Sequence, residues 1–149
     1  MNETETAQLR NTVRDFLNAH RKAVFAFLDV KGYPTTSLML YTIDDDLHVY
    51  FGTRKSFGKY ADVQRNPIVS LSVIEEVLDP LRVVDVRGTA VELTAEEQER
   101  VYAQFKEQNI SKYYVEHADD FVMFRITPQF IRWADASSGS LVITDVPLV

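Results

Sequence analysis

The segment YFGTRKSFGKYADVQRNPIVSLSV, residues 50–73, decides the fold of this chain. The apolar run Leu47 to Phe51 predicts a strand, and the turn at residues 52–56 leads into a short helix that carries Lys59 on its surface. Asn66-Pro67 ends the helix, because proline lacks a backbone donor and disfavours helical geometry in the residue before it. A turn that opens a helix leaves backbone N–H groups free at the positive end of the helix dipole. The segment therefore predicts an anion-binding turn.

Basic residues are concentrated in this segment although the chain as a whole is acidic. Arg54, Lys55, Lys59 and Arg65 are opposed here only by Asp62, whereas the formal net charge of the chain is -6. Two or three cationic side chains beside free N–H groups form a site for one phosphate group. Neighbouring side chains of an extended turn diverge, and the bidentate guanidinium favours Arg54 over Lys55 as the inward group.

The bulk composition excludes several classes of protein. The chain has 149 residues, of which 46% are hydrophobic, and we expect one domain spanning residues 1–149. The absence of cysteine excludes disulfides, thiol catalysis and thiolate metal sites. The acidic balance argues against nucleic-acid or membrane-surface binding, and no apolar run reaches the roughly 18 residues of a membrane span. The polar, acidic start does not resemble a signal peptide, so we expect a cytoplasmic protein.

The rest of the chain has the pattern of a mainly β protein with flanking helices. Apolar residues at helical spacing after a cap at Thr4 or Thr6 predict an N-terminal helix, and the capping box at residues 94–97 predicts another. The predicted strands are residues 24–30, 35–43, 47–51, 68–74, 82–93, 121–126 and 130–133. Gly88 marks a bulge, and the tail after Asp135 has no clear pattern. Strands in meander order predict a small six-stranded antiparallel barrel rather than a parallel sheet.

Other chemistry-bearing residues do not form a recognisable site. His20 near a helix end, His48 in a predicted strand and His117 in a polar loop share no metal-ligand spacing. The run Asp44 to Asp46 lacks the alternating ligands of a calcium loop and is interpreted as a hairpin tip. We therefore expect no metal site and no acid–base pair.

The order strand, turn, helix, Asn-Pro and strand resembles the pyridoxamine 5'-phosphate oxidase-like, FMN-binding split-barrel family. The resemblance extends from about Val24 to Leu93 and more weakly to Trp133. It is most specific from Pro34 to Pro67, where the sequence follows the family pattern without a gap. It implies a split β-barrel with FMN as its cofactor.

The resemblance also implies a set of cofactor-binding residues. In that family the second strand lies beside the flavin, and the end of the third strand and the first turn of the next helix hold the phosphate. Thr53 and Lys59 keep the residue types that the family pattern expects. The implied residues are Ser37, Leu38, Met39, Leu40, Thr42, Gly52, Thr53, Ser56 and Lys59, with Arg54 and Lys55 adding charge in the turn. Similar proteins often place a C-terminal aromatic near the flavin of the partner subunit, which implies such a contact for Trp133.

Departures from the family pattern argue against the oxidation of pyridoxamine phosphate itself. The authentic oxidases carry arginine, lysine and arginine at the positions of Ser37, Thr42 and Gly58. Nothing after Trp133 resembles their basic C-terminal signature. The chain is more similar to the smaller, general-stress-protein-like members of the family.

The expected function is that of a flavin-dependent oxidoreductase acting on a small organic substrate or a reduced nicotinamide. The flavin would carry the redox chemistry, so no catalytic dyad is needed. A small open barrel leaves one side of a flat flavin uncovered, and a second copy related by two-fold symmetry would cover it, which predicts a homodimer. One alternative is a deazaflavin-dependent reductase, which a wider basic groove would favour. Another is a non-catalytic flavin- or haem-binding module, for which His48 and His117 are the eligible histidines.

Overall fold

Seven antiparallel strands and three α-helices make up the described part of the chain. The structure is a computed structural model that describes residues 1–108, 110–113 and 119–148, so the predicted loop residue His117 lies outside it. The elements are α1 Glu3–Ala19, β1 Lys22–Leu28, β2 Pro34–Ile43, β3 Val49–Arg54, α2 Gly58–Arg65, β4 Ile68–Ile74, β5 Arg82–Glu92, α3 Ala95–Glu107, a 3-10 turn Ser111–Tyr113, β6 Phe121–Asp135 and β7 Val142–Asp145. None of the described helices is long and apolar enough to cross a membrane.

Strands β1 to β6 close into a barrel, which confirms the predicted six-stranded antiparallel split barrel. β1, β2 and β3 form one meander, and β4, β5 and β6 form a second. The two meanders join through the pairs β1–β4 and β3–β6. The single meander order expected from the sequence is therefore wrong at one connection, because α2 carries the chain from β3 to the far side of β1.

The barrel is split beside the first part of β2. Strand β3 pairs with β2 only through residues 49–51, and its last residues, 52–54, pair with β6 instead. The Tyr41 N–H donates to the carbonyl oxygen of Arg21, just before β1, at 3.2 Å, so the backbone groups of Tyr41 face β1. Because alternate residues of an antiparallel strand turn their backbone groups to opposite sides, Leu38 directs its N–H and C=O away from β1 and towards the split.

Aromatic side chains fill the barrel, and α1 covers one of its ends. The Phe25 and Phe51 ring centroids lie 4.9 Å apart, and the Phe51 ring stacks on Phe124 at 5.3 Å. From α1, Leu17 packs into the same core, and its carbonyl oxygen accepts a bond of 2.7 Å from the Tyr41 hydroxyl. A second, smaller core lies under α3, on the outside of the barrel, and consists of Leu93, Phe105, Ile110 and Met123.

Helices α1 and α3 each begin with a capping box, and only the capping box of α3 was predicted. The cap of α3 at Thr94 is confirmed. Helix α1 begins earlier than expected, with Asn2 as its cap rather than Thr4 or Thr6. The Asn2 side chain accepts from the Glu5 N–H at 2.8 Å, and the Glu5 carboxylate accepts from the Asn2 N–H at 3.2 Å. Asparagine satisfies the helix start as well as threonine does, so the reciprocal glutamate decides the position.

The turn between β2 and β3 corrects the placement of His48. Leu47 has a φ of 67°, which a strand residue does not adopt, so β3 begins only at Val49. His48 therefore lies in the hairpin turn and not in a strand. Asp44 organises this turn, since its carboxylate accepts from the Asp46 N–H at 2.9 Å and from the His48 N–H at 3.0 Å.

Strand β6 is continuous, so the two strands predicted at 121–126 and 130–133 are one. The break expected at Thr127-Pro128 is a bulge, where the register with β5 shifts between Arg87 and Gly88. The predicted bulge at Gly88 is thus confirmed. A Cβ at Gly88 would lie 2.2 Å from the Thr127 carbonyl oxygen, so only glycine allows this approach. The tail without a sequence pattern forms β7, which pairs with the end of β6.

Candidate functional site

The side chain of Lys59 lies over the aromatic core at the end of the barrel. Its Nζ is 5.7 Å from the Phe25 ring centroid, 6.0 Å from that of Phe51 and 3.4 Å from the Ser37 Oγ. The expected position on the helix surface is therefore wrong, because this side of α2 faces the barrel. Burial lowers the pKa of Lys59. None of the ion pairs among the described residues includes Lys59, so its ammonium group is available to an anion.

Thr53 supplies a buried hydroxyl to the same end of the barrel. The residue is 4% exposed, and its Oγ1 has no hydrogen-bond partner in the described part of the chain. Thr53 and Phe51 are two residues apart on β3, so both side chains lie on the inner face, as does that of Ser37 opposite Phe25. A buried polar group without a partner costs about 1–3 kcal/mol, which a bound acceptor would recover.

The first turn of α2 is the third part of this candidate anion site. Its N-cap, Phe57, provides no side-chain hydrogen bond. The N–H groups of Gly58 and Lys59 are at helix positions that have no intrahelical partner. Apart from its chain neighbours and the backbone of its own helix, no atom lies within 4 Å of the position that a Cβ on Gly58 would occupy, so this residue borders open space. The structure thus brings together the side chains of Ser37, Thr53 and Lys59 and a helix N-terminus.

The turn residues Arg54, Lys55 and Ser56 face a carboxylate instead of the barrel. The Arg54 Nε donates to Asp120 at 2.9 Å, and the Ser56 N–H donates to the other carboxylate oxygen at 3.1 Å. Arg54 follows Thr53 on β3 and so lies on the opposite face. The Lys55 side chain is exposed. Sequence reasoning missed Asp120, because nothing in a pattern of spacing links it to a turn 64 residues earlier.

The other residues predicted on β2 divide between the barrel interior and helix α3. Met39 is buried inside the barrel, while Leu38 is 67% exposed on the outer face. Leu40 packs against the second core. Thr42 is buried under α3, where it accepts from the Gln104 Nε2 at 2.6 Å and donates to Gln108 Oε1 at 2.9 Å. Five residues along a strand correspond to roughly 17 Å, so Thr42 lies far from the anion site near Ser37.

Trp133 lies at the other end of the barrel in its own chain. Its ring packs edge-on against Phe16 of α1 with centroids 5.1 Å apart. Thr53 pairs with Val122 on β6, and Trp133 is eleven residues further along that strand, or roughly 35 Å. Thr53 and Trp133 are therefore far apart along β6, although Leu38 and Trp133 border one cleft on the outer face of the sheet. The buried Gly52 lies on β3 beside Thr53.

A cleft of about 930 Å³ opens between α1 and the outer face of the sheet, away from Lys59. Of the predicted residues it includes Leu38 and Trp133. His20 lies in this cleft with both ring nitrogens engaged, Nδ1 at 2.6 Å from the Phe16 carbonyl oxygen and Nε2 at 3.2 Å from Glu75. Neither Thr53 nor Lys59 borders the cleft, so its volume does not bear on the candidate phosphate position.

A cluster of two carboxylates and one histidine lies in the hairpin turn between β2 and β3. The ligand atoms of Asp44, Asp46 and His48 lie within 4.8 Å of one another. Both oxygens of Asp44 already accept hydrogen bonds, including one of 2.9 Å from the Tyr50 hydroxyl. The hydrogen bonds of the hairpin turn therefore explain why these three side chains lie close together.

Comparison with known proteins identifies the family. A family model described as pyridoxamine 5'-phosphate oxidase matches residues 9–133. The chain belongs to this family. The predicted split-barrel membership is thereby confirmed, over most of the chain. No curated protein matches the chain in sequence.

Solved structures of the same fold carry different names. A Clostridium acetobutylicum protein related to general stress protein 26 has a TM-score of 0.73 and 12% identity, covering 93% of this chain and 95% of its own. The heme binding protein of Mycobacterium smegmatis has a TM-score of 0.75 and 18% identity over 91% of this chain, which spans 57% of its length. The Vibrio cholerae heme storage protein HutZ has a TM-score of 0.69 and 19% identity, covering 81% and 91% of the two chains. At such identities the likeness shows the fold alone.

Proposed function

We propose that this chain is an FMN-binding protein whose phosphate site is formed by Ser37, Thr53, Lys59 and the first turn of α2. One observation carries the proposal: within the described residues, the half-buried Lys59 ammonium, 6.0 Å from the Phe51 ring centroid, has no carboxylate partner, and the buried Thr53 hydroxyl, two residues after Phe51 on β3, has no hydrogen-bond partner. A single phosphate group satisfies both, because it accepts from an ammonium, hydroxyls and backbone N–H groups together. Membership of the pyridoxamine 5'-phosphate oxidase family supports FMN as the phosphate carrier.

The split beside β2 suits the flavin ring. A flavin ring is flat and mostly apolar, with hydrogen-bonding groups along its edge, so it fits an apolar surface next to free backbone groups. Leu38 offers both, since its side chain is exposed and its backbone N–H and C=O turn towards the split. The flavin would supply the electron transfer, and the residues around the split would orient it and exclude water.

The proposed activity is that of a flavin-dependent oxidoreductase in the cytoplasm. Its substrate would be a small organic molecule or a reduced nicotinamide. The alternatives of a deazaflavin and of a non-catalytic module remain within the same fold. Haem is named for two of the similar structures. His20 does not favour haem, because both of its ring nitrogens are engaged. Asp44 engages only the Nδ1 of His48, so His48 stays the eligible histidine among the described residues.

The first prediction is that the purified protein binds FMN more tightly than riboflavin. The two ligands differ only in the phosphate, and charge-assisted hydrogen bonds contribute about 1.5–3 kcal/mol each, so we expect a ratio of at least roughly tenfold. Fluorescence titration with both flavins measures the ratio, and mass spectrometry of the molecule released by heat identifies what the protein carries from its host. Equal affinities would contradict the phosphate site, and release of haem or a deazaflavin would replace FMN as the cofactor.

We also propose that the protein is a homodimer with the cofactor at the subunit interface. Leu38, Val24 and Ile74 form an apolar strip on the outer face of β2, β1 and β4, and all three are exposed. The strip borders the cleft beside α1. A second copy would bury the strip. The contact between its Trp133 and the flavin stays a prediction, since that ring is 7% exposed and packs against Phe16 in its own chain.

The second prediction is that Leu38→Glu separates the subunits. Placing a carboxylate in an apolar interface leaves a desolvated charge, which strongly disfavours association. Sedimentation equilibrium should give twice the 17.1 kDa of one chain for the natural protein and a single chain for the variant. Val30→Glu is the matched control, since Val30 is equally exposed at 67% but lies in the β1–β2 turn. A natural protein that sediments as a single chain would remove the dimer from the proposal.

A further inference from the structure

A single carboxylate holds the turn between β3 and α2. Its residue, Asp120, accepts from the Arg54 Nε at 2.9 Å and from the Ser56 N–H at 3.1 Å. The Asp120 carbonyl oxygen also accepts from the Lys55 N–H at 2.9 Å. Three consecutive turn residues are therefore bound to one residue of another element. Because Phe121, the next residue, pairs with Arg54 in the sheet, the position of Asp120 is itself fixed.

The carboxylate contacts the side of the turn that faces away from the anion site. Arg54 lies on the outer face of β3, whereas the unpartnered Thr53 hydroxyl lies on the inner face. The Phe57 N–H donates to the Arg54 carbonyl oxygen at 3.0 Å, so the same turn sets where α2 begins. The bonds of Asp120 thus leave the inner side of the turn open while they restrict its backbone.

A phosphate group gains most from backbone donors that are already in place. The Gly58 and Lys59 N–H groups follow the turn directly, and Phe57 provides no side-chain cap to order them. If the turn were free, binding would have to order it, and that cost would be subtracted from the affinity for phosphate. Riboflavin has no phosphate and does not need the ordered turn, so a free turn would not lower the affinity for riboflavin.

We propose that Asp120 is the positioning residue that gives this site its preference for FMN over riboflavin, by fixing the β3–α2 turn. The inference rests on the proposed FMN site and adds the source of its specificity. Asp120 does not touch the phosphate and acts through Ser56 and Lys55. The hydrogen bonds from Ser56 and Arg54 lower the pKa of Asp120 to about 2, so the carboxylate is ionised throughout the pH range of a binding assay.

The test compares FMN and riboflavin titrations of the natural protein and four variants. We expect Asp120→Ala to weaken FMN binding roughly tenfold, which is 1.4 kcal/mol, and to change riboflavin binding by less than about twofold. Asp120→Asn retains an acceptor for the Ser56 N–H and should lie within about fivefold of the natural protein for FMN. Arg54→Ala should weaken FMN binding less than Asp120→Ala, because the bonds to Lys55 and Ser56 remain. Asp119→Ala, an exposed neighbour, is the matched control and should change neither affinity.

The possible results separate this inference from the function on which it rests. A natural protein that does not prefer FMN overturns both. If the natural protein prefers FMN, three results overturn the role of Asp120 alone: unchanged or tighter FMN binding by Asp120→Ala, an equal loss for both flavins, or an equal loss in Arg54→Ala. Circular dichroism shows whether each variant is folded. Should Asp120→Ala not fold, a loss in Asp120→Asn confined to FMN supports the proposal, and an equal loss of both flavins overturns it.

Discussion

Replacing Lys59 with methionine is expected to weaken FMN binding roughly 10- to 100-fold, because it removes a charge-assisted contact of about 1.5–3 kcal/mol. Methionine keeps the length of the side chain and its contact with the Phe25 and Phe51 rings. Fluorescence titration measures the loss for FMN, and riboflavin serves as the reference ligand. Lys55→Met removes the same charge from an exposed neighbour and should have only a small effect. Equal losses in the two variants would mean that general positive charge, rather than the half-buried ammonium of Lys59, attracts the ligand.

The same variant is expected to be more stable than the natural protein when no flavin is bound. Burial disfavours the charged form of Lys59 in the folded chain, which is why its pKa is lowered. Between that lowered pKa and the ordinary pKa of lysine, the unfolded chain binds more protons than the folded chain, so stability should rise with pH across this window. Lys59→Met should raise the unfolding temperature at neutral pH and should reduce the increase of stability with pH in this window. FMN affinity of the natural protein should fall as pH rises through the same lowered pKa, since the ammonium loses its charge.

Replacing Phe105 with alanine is expected to cost about 3–5 kcal/mol of unfolding free energy, as truncation of a large core residue does. Phe105 is 0% exposed and lies in the core between α3 and the barrel. Urea unfolding followed by circular dichroism measures the change, and Tyr33→Ala at an exposed turn should stay within about 0.5 kcal/mol.

The same variant tests how far the flavin extends along β2. Helix α3 covers Thr42 through Gln104 and Gln108, so a ring that reached Thr42 would have to displace this helix. Loosening α3 would then change FMN affinity in the folded Phe105→Ala protein. An unchanged affinity is the expected result if the ring stays near Leu38, and a clear gain would support the predicted contact with Thr42.

The strands and the turn between β3 and α2 were predictable because their signals are local. Alternation of side chains, the Asn-Pro break and the capping box at Thr94 each depend on a few adjacent residues. The bulge at Gly88 was predictable for the same reason, since only glycine allows the approach of the neighbouring strand. The family pattern then placed Ser37 and Lys59 at one site, and the structure has them 3.4 Å apart.

What the sequence did not predict depends on contacts between distant residues. The burial of Lys59 follows from the direction in which α2 crosses the barrel, which no spacing within the helix specifies. Asp120 and Thr42 acquire their partners from elements more than sixty residues away. Pro128 appeared to end a strand, yet the bulge opposite Gly88 accommodates it inside β6.

Strand β6 is continuous, and it sets the separation between the anion-binding turn and Trp133 within one chain. Its first residues pair with β3 beside the anion site, and its last residues pair with β7 beside Trp133. Its pairing with β5 runs from Phe124 to Asp135 and is interrupted only by the bulge opposite Gly88, so one strand connects the two ends of the barrel. In the proposed dimer, a ligand held at the anion-binding turn of one chain would reach Trp133 of the other only if the two subunits are offset by a matching distance.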